Sequence, residues 1–528
     1  MLTIIAASVR LAPRWARFAR LCRELRAWRR RAQGLGRFDF NGRGMLTILI
    51  AAALASVAPP TAADVAALAR LVRSIDAEYP MRTATLGVSV VDAASGKTLF
   101  AQDADKEFAP ASNFKLVDAA SALAYLGPDF RYQTDLLERG KVENGVLSGD
   151  LILRGGGDPV LSRADLERAA KAVVAAGITR ITGTVLPDDR VFDRQRYGSD
   201  WAWDDMQYYY QPPIQALAVD EGLAYVTVTP GGAAGDAVIA TIEPNGGVMT
   251  VSSYAKTTPS GGTNDVDCFR SPGSTRIEIV GHFPLGSAPF RFGCAVEDSS
   301  AYATGTLVQL LTDEGVAVGR SAVGPEVEAG MLDIEDPAFV APLDLHVLWS
   351  HDSAPLHDII AKMMPPSDNF IAEHLFKMLP VAAFHQRGTF DGGAAVERKF
   401  IGSLGLDPRT LDNGDGSGLS QGDRVTPHDL TTILEWETRS STGHDFIDAL
   451  ALAGINGTVR HHLLGSDAVG RVRAKDGYIW HVSTFSGYAQ TKHHGLVIFS
   501  IMFNDANGLL KPFQHAQDRM VETIFDWP

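Results

Sequence analysis

The sequence predicts an α+β fold of the α/β-sandwich kind: an antiparallel sheet flanked by helices, with a long β-rich region inserted between its parts. Three observations predict it. Strand-like runs occur near both ends of the chain, at residues 86–92 and 98–102 and again at 471–475, 483–491 and 496–504. Helical periodicity follows the first pair and precedes the last three, at 112–126, 355–364 and 369–379. Between residues 130 and 340 the texture changes to short strands separated by Gly, Pro and Asp turns. With 528 residues, 45% of them hydrophobic and 21% charged, the chain can bury a large core and divides into two or three domains.

The first sixty residues read as an address rather than as structure. Residues 45–58 are apolar but too few to span a bilayer, and small residues with Pro59 and Pro60 follow, which suits signal-peptide cleavage after Ala58 or Ala63 and export. The segment before Met45 holds eleven Arg against Glu24 and Asp39, a balance of +9, so a chain total of −14 leaves about −23 for the rest. That basic segment is read as lying upstream of the true start, with a basic amphipathic helix over 10–32 in peripheral membrane contact as the alternative. The acidic remainder offers no footprint for nucleic acid, whose phosphates Lys and Arg must neutralise.

After a helix at 64–75, the runs 86–92 and 98–102 form a hairpin across Ala94-Ser-Gly-Lys97. Pro110-Ala-Ser112 supplies helix-start signals, and Phe114, Val117, Ala120 and the residues to Leu126 carry an apolar stripe that stops at Gly127-Pro128. Strands of the inserted region are expected at 181–187, 224–230, 248–252 and 276–280. Pro365-Pro-Ser367 separates the two later helices, Lys492-His-His-Gly495 turns the final meander, and a last helix runs over 512–525.

Chemistry enters at Ser112-Asn-Phe-Lys115. A serine hydroxyl is a poor nucleophile until a base takes its proton, and a lysine one helical turn later reaches it on the same face. Such a lysine must be neutral, which burial and neighbouring cations promote. Ser253-Tyr-Ala-Lys256 has the same spacing but follows a strand-like run, with no helix to hold the pair in register. Two further motifs single out Ser112: Ser367-Asp-Asn369 between two helices, and Lys475-Asp-Gly477 at the end of a strand. Ser367 can relay a proton to a leaving nitrogen and Asn369 can hold a substrate amide. Lys475 can bias Ser367 and attract a carboxylate, and the strand after Gly477 can bind an extended peptide edge-on. The backbone N–H groups of Ser112 and Tyr478 then face each other across an oxyanion.

These motifs, with Gly155-Gly-Gly-Asp158-Pro, Asp188-Asp-Arg190, Asp415-Gly-Ser-Gly-Leu-Ser420 and Ala453-Gly-Ile-Asn-Gly-Thr458, resemble the D-alanyl-D-alanine carboxypeptidase/endopeptidase family of low-molecular-mass class C penicillin-binding proteins. The resemblance implies a penicillin-binding, β-lactamase-like catalytic domain at 64–128 and 341–528. It implies one inserted domain at 129–195 and 300–340 and a second nested in it at 196–299, which fill the 255 positions from Ser112 to Ser367. It further implies an acyl-enzyme on Ser112, peptidoglycan stem peptides and β-lactams as partners, no cofactor, and a periplasmic or secreted protein. Asp158 is expected to recognise a cationic side chain or to shape a turn. Ser417 is expected to line the cleft or to stabilise its loop.

One residue departs from the family's pattern. Its third motif is Lys-Thr-Gly, whose hydroxyl helps to hold the substrate carboxylate, whereas this chain has Asp476. An ionised carboxylate about 4 Å from another costs on the order of 4 kcal/mol near a surface, less whatever Lys475 and Arg473 return. Cleavage is therefore expected to favour donors without a nearby free carboxylate, such as cross-links, other amides or esters. Two rivals stand beside this reading: Gly418-Leu-Ser420-Gln-Gly422 as a nucleophile elbow, which lacks the strand that must precede it, and a cell-wall binding protein with an impaired site. Tyr208-Tyr-Tyr210 and Trp201-x-Trp203 are read as core and interdomain packing residues, with a sugar or peptide platform as the alternative. Cys268 and Cys294 suit a disulfide in an oxidising compartment, and no metal-ligand spacing occurs.

Overall fold

The structure, a computed structural model, describes residues 60–319 and 345–527. The expected signal segment, up to its last few residues, and the Arg-rich stretch before it lie outside the described residues.

Six antiparallel strands form the main sheet, in the spatial order Ala451–Leu452, Val472–Ile479, Val482–Gln490, Leu496–Asn504, Thr85–Asp92, Thr98–Gln102. The early strand thus lies beside the last one, with Thr85 opposite Asn504 and Asp92 opposite Val497. The chain from 103 to 450 leaves this sheet and returns to it at the short edge strand Ala451–Leu452. Val497, Phe499, Ile501 and Phe503 point to one face and Ile498 and Met502 to the other, and all are buried. That is why this stretch is apolar on both faces from Leu496 to Phe503 except at the buried Ser500, which accepts from Ser486 Oγ at 2.9 Å.

Helices Ala62–Ala77 and Lys511–Phe525 cover the first face, contributing Leu68, Val72, Ile75, Met520 and Ile524 to its core. A capping box starts the former: Thr61 N donates to Asp64 Oδ2 at 2.8 Å and Asp64 N to Thr61 Oγ1 at 3.3 Å. Helices Lys115–Leu126, Leu356–Met363, Asn369–Phe384 and Pro427–Glu437 pack on the second face. Pro365 and Pro366 end the second of these, and Asp368 caps the third by accepting from Ile371 N at 3.0 Å.

The inserted region carries a mixed sheet in which Gln133–Glu143 pairs with Val146–Gly155 on one side and with Leu345–Asp352 on the other. Leu345–Asp352, within the stretch expected in the catalytic part, therefore belongs to the inserted sheet. Smaller sheets around Leu223–Thr229 and Arg276–Val280 share one apolar cluster with it, running through Leu151, Val226, Ile277 and Leu307. Helices Arg163–Ala175 and Ser299–Asp313 stand where only β texture was read. The second hides in sequence because it buries hydroxyls: Thr304 and Thr306 donate to the carbonyls of Ser300 and Tyr302 at 2.9 and 2.8 Å. Ser253 ends one strand and Lys256 opens the next, so their spacing places no pair on a helix.

Cys268 and Cys294 correct an expectation. They face each other on strands Asp267–Phe269 and Phe290–Ala295 as buried free thiols rather than as a disulfide. Cys268 Sγ donates to Gln207 O at 3.8 Å, and its contact with Cys294, followed by burial, pushes the Cys294 thiol up.

Phe485, fully buried mid-sheet, stacks on His462 at 4.2 Å and meets Phe499 at 5.2 Å. Phe485→Ala is expected to cost about 3–5 kcal/mol in urea unfolding. Val347→Ala, at a position 60% exposed, is expected to stay within about 0.5 kcal/mol.

Candidate active site

Ser112 sits one step earlier than the sequence suggests, in the 3-10 turn Ala111–Phe114 that leads into helix Lys115–Leu126. Ala111 before it takes φ 46°, a left-handed conformation that a Cβ disfavours. The turn is held from several sides. Thr484 Oγ1 donates to Pro110 O at 2.7 Å, Asn113 Nδ2 to Ser486 Oγ at 2.9 Å, and Asn504 bonds both Ala109 N and Ala109 O at 2.8 and 3.0 Å. Two glycines allow backbone to press directly on it. A Cβ on Gly418, itself at φ +77°, would lie 1.9 Å from Ala111 O, and one on Gly477 would lie 2.9 Å from Ser112 N.

Lys115 is fully buried, and its Nζ lies 3.0 Å from Ser112 Oγ, 2.7 Å from Asn369 Oδ1 and 2.9 Å from Ser417 O. A neutral amine has two donors and one lone pair. Donating to Asn369 and to the Ser417 carbonyl, it turns that lone pair toward the Ser112 hydroxyl. Burial, then the Lys475 charge, lower the Lys115 pKa to about 7, against the opposing pull of Glu373, Asp415 and Asp368. Asn369 is fixed in turn, its Nδ2 donating to Tyr210 O at 2.9 Å.

The loop that supplies the Ser417 carbonyl is shaped by two buried carboxyls. Glu373 accepts from Gly416 N and Ser417 N, each at 3.0 Å. Asp415 accepts from Gly418 N at 2.7 Å, Ser420 N at 2.6 Å and Trp201 Nε1 at 2.7 Å. Ser417 itself is fully buried, with Oγ accepting from Leu419 N at 3.3 Å. Its backbone serves the site, which corrects the expectation of a substrate-binding side chain. Ser420 is likewise buried in this loop, with Oγ accepting from Gly422 N at 3.3 Å, so the nucleophile-elbow reading finds no exposed hydroxyl.

Opposite stands strand Val472–Ile479. Ala451–Leu452 pairs only with its Ala474 and Arg473, so the same edge from Lys475 to Ile479 has no strand neighbour among the described residues. Lys475 is buried, with Nζ donating to Asp476 O at 2.6 Å and lying 3.3 Å from Asp476 Oδ1. Thr458 Oγ1 donates to the same Oδ1. Burial would raise the Asp476 pKa, but Lys475, Thr458 and His462 hold it below the ordinary carboxylate value. Arg473 gives Asp476 no relief, because it is tied to Asp448 Oδ1 at 3.0 Å and to the Asp448 and Leu450 carbonyls.

A cleft of about 660 Å³ brings Ser112, Ser367, Asn369, Asp476 and Tyr478 together, walled by Tyr209, Tyr210, Thr458 and Trp480. Ser367 enters it from a left-handed turn, φ 65°. Asp158 does not line this cleft. It is 2% exposed, accepts from Val160 N at 2.9 Å and faces His351 Nε2 at 3.8 Å. The turn reading holds for it, which corrects its placement among the substrate-binding residues.

Residues 68–523 match the D-Ala-D-Ala carboxypeptidase 3 (S13) family. The chain belongs to that family. It is 33% identical over 473 residues to a D-alanyl-D-alanine carboxypeptidase of Actinomadura sp. (strain R39), covering 85% of this chain and 84% of that one. It is 26% identical to the D-alanyl-D-alanine carboxypeptidase DacB of Haemophilus influenzae, over 75% and 80% of the two chains. The fold is similar to the crystal structure of penicillin binding protein 4 from H. influenzae, with TM-score 0.75, 23% identity, and coverage of 87% of this chain and 99% of that one. This S13 family member is a serine-type peptidase.

Several groups of the S13 site carry no sequence signal of their own. Thr484, Glu373 and the Tyr210 carbonyl act through contacts between segments far apart in the chain, and Thr458, which ends a motif, shows its role only through its bond to Asp476. Tyr209 and Tyr210, read as packing residues, form part of the cleft wall.

The site sets a pH dependence with a definite sign. A base must be unprotonated, and the Lys115 pKa is depressed to about 7, so acylation is expected to rise with pH through a midpoint near pH 7 and to be lost below it. Lys475→Met removes a repelling cation and is expected to move that midpoint upward. Stopped-flow acylation by a chromogenic β-lactam across pH checks both, and a midpoint that falls in the variant contradicts this account.

Proposed function

We propose that this chain is a serine D-alanyl-D-alanine carboxypeptidase/endopeptidase of peptidoglycan stem peptides that works through an acyl-enzyme on Ser112, and that penicillin acylates the same oxygen. One observation carries the reading: the buried Lys115 Nζ joins Ser112 Oγ and Asn369 Oδ1 at 3.0 and 2.7 Å. Lys115 takes the hydroxyl proton as Oγ attacks the scissile carbonyl. The backbone N–H groups of Ser112 and Tyr478 receive the oxyanion, which the close approach of Gly477 to Ser112 N supports. Ser367 passes the proton to the departing nitrogen, and water then hydrolyses the ester. Peptide substrate lies along the open edge from Lys475 to Ile479 as an added strand.

Cell-wall substrate agrees with export, which we infer from the apolar segment near residue 50. Among the described residues no helix is long and apolar enough to cross a membrane. Similarity to the penicillin binding protein 4 structure complexed with a β-lactam, at 22% identity and TM-score 0.71, agrees with a fold able to hold such a ligand.

Intact-mass analysis after penicillin treatment is expected to show one penicilloyl adduct, absent in Ser112→Ala and retained in Ser420→Ala. Lys115→Met is expected to slow adduct formation by about 10²–10⁴-fold. An adduct that survives Ser112→Ala overturns the assignment.

A further inference from the structure

The third motif places a carboxylate in the cleft that holds Ser112, and the surrounding groups hold it there. Asp476 lines the cleft with Ser112. Thr458 donates its hydroxyl to Asp476 Oδ1, and Lys475 Nζ lies 3.3 Å from the same oxygen, so the nearby donor and the nearby cation are both turned onto this carboxylate. Oδ2 is left without a protein partner among the described residues. The rest of the cleft lining adds Asp200, Asp205, Glu221 and Asp368 and includes no Lys, Arg or His. Arg473, the other cation on the same strand, is held by Asp448.

A site made this way accepts hydrogen bonds and repels anions. A free carboxylate on the departing residue meets like charge and finds no cation in the cleft lining to offset it. A primary carboxamide at the same place is uncharged and offers N–H groups to Asp476 Oδ2. We infer that Asp476, held by Thr458 and Lys475, selects substrates whose departing D-residue carries a carboxamide in place of its free carboxylate. This inference rests on the acyl-enzyme reading of Ser112. The Ser112 Oγ–acyl bond forms as the peptide C–N bond breaks, D-alaninamide leaves with the hydroxyl proton, and water releases the shortened peptide acid. Asp476 is a specificity residue here, since it contacts the departing group without transferring a proton.

The test compares hydrolysis of one acyl-L-Lys-D-Ala-D-Ala peptide with that of its C-terminal carboxamide, by the full chain and by Asp476→Thr and Asp476→Asn. The intact protein is expected to show a kcat/KM at least tenfold higher on the carboxamide. Asp476→Thr is expected to raise activity on the free acid and lower it on the carboxamide, reversing the order. Asp476→Asn, which keeps shape and removes charge, is expected to narrow the ratio, a change that loss of folding does not produce. A parent that prefers the free acid, or a Thr variant that shifts both substrates equally, overturns the inference while leaving Ser112 in place. Hydrolysis of neither peptide, with Ser112 unmarked by a carboxylate-free acylating ester, overturns the acyl-enzyme reading and this inference with it.

Discussion

The site depends on keeping one amine out of water. Lys115 has no solvent exposure, and an ammonium in that position would have to be compensated almost entirely by neighbours. Its three contacts are an amide oxygen, a backbone carbonyl and a hydroxyl, none of which carries a full charge. The nearest strand brings in Lys475, a second buried cation, which favours the neutral amine further. Buried carboxyls oppose the shift, and Glu373 is itself pushed up to about 8 by burial and by Asp415. Proton affinity at Ser112 is thus set by packing around Lys115 rather than by a single partner.

The fold supplies that packing from segments distant in sequence. The Ser112 turn comes from the first part of the chain and is clamped by Thr484 and Asn504 of the last strands. The Ser417 carbonyl comes from a loop organised by Glu373 and Asp415, and Gly418 lets that loop touch Ala111. The inserted region contributes the Tyr210 carbonyl, which fixes Asn369, and the Trp201 indole, which fixes Asp415. It is therefore part of the active-site scaffold as well as a body with its own core.

What sequence makes legible here is local and periodic. Ser112 and Lys115 are one turn apart, Ser367 and Asn369 flank a helix start marked by two prolines, and Lys475 opens a motif on a strand. Each can be read because spacing alone determines the relation. The main sheet was readable for the same reason, since its last strand is apolar at every position from Leu496 to Phe503 except Ser500. What stayed hidden depends on long-range contact: the Thr458 hydroxyl on Asp476, the Ser417 carbonyl on Lys115, and the shielding of Asp158 within the inserted region. Strand alternation aims residue 476 away from the face of Lys475 and Gly477, and Asp476 and Tyr478 accordingly line the cleft, where the Thr458 hydroxyl donates to Asp476. Helix Ser299–Asp313 escaped because its buried face is rich in hydroxyls that satisfy themselves on the helix backbone.

The central claim is that Lys115 is the base and is largely unprotonated in the resting protein above neutral pH. Protein labelled with ¹³Cε,¹⁵Nζ-lysine, with the Lys115 signal assigned from the spectrum of Lys115→Met, reports that state directly by NMR titration. The Lys115 resonance is expected to titrate near pH 7, well below the exposed lysines. A Lys115 signal that remains that of an ammonium up to pH 10 would contradict the claim.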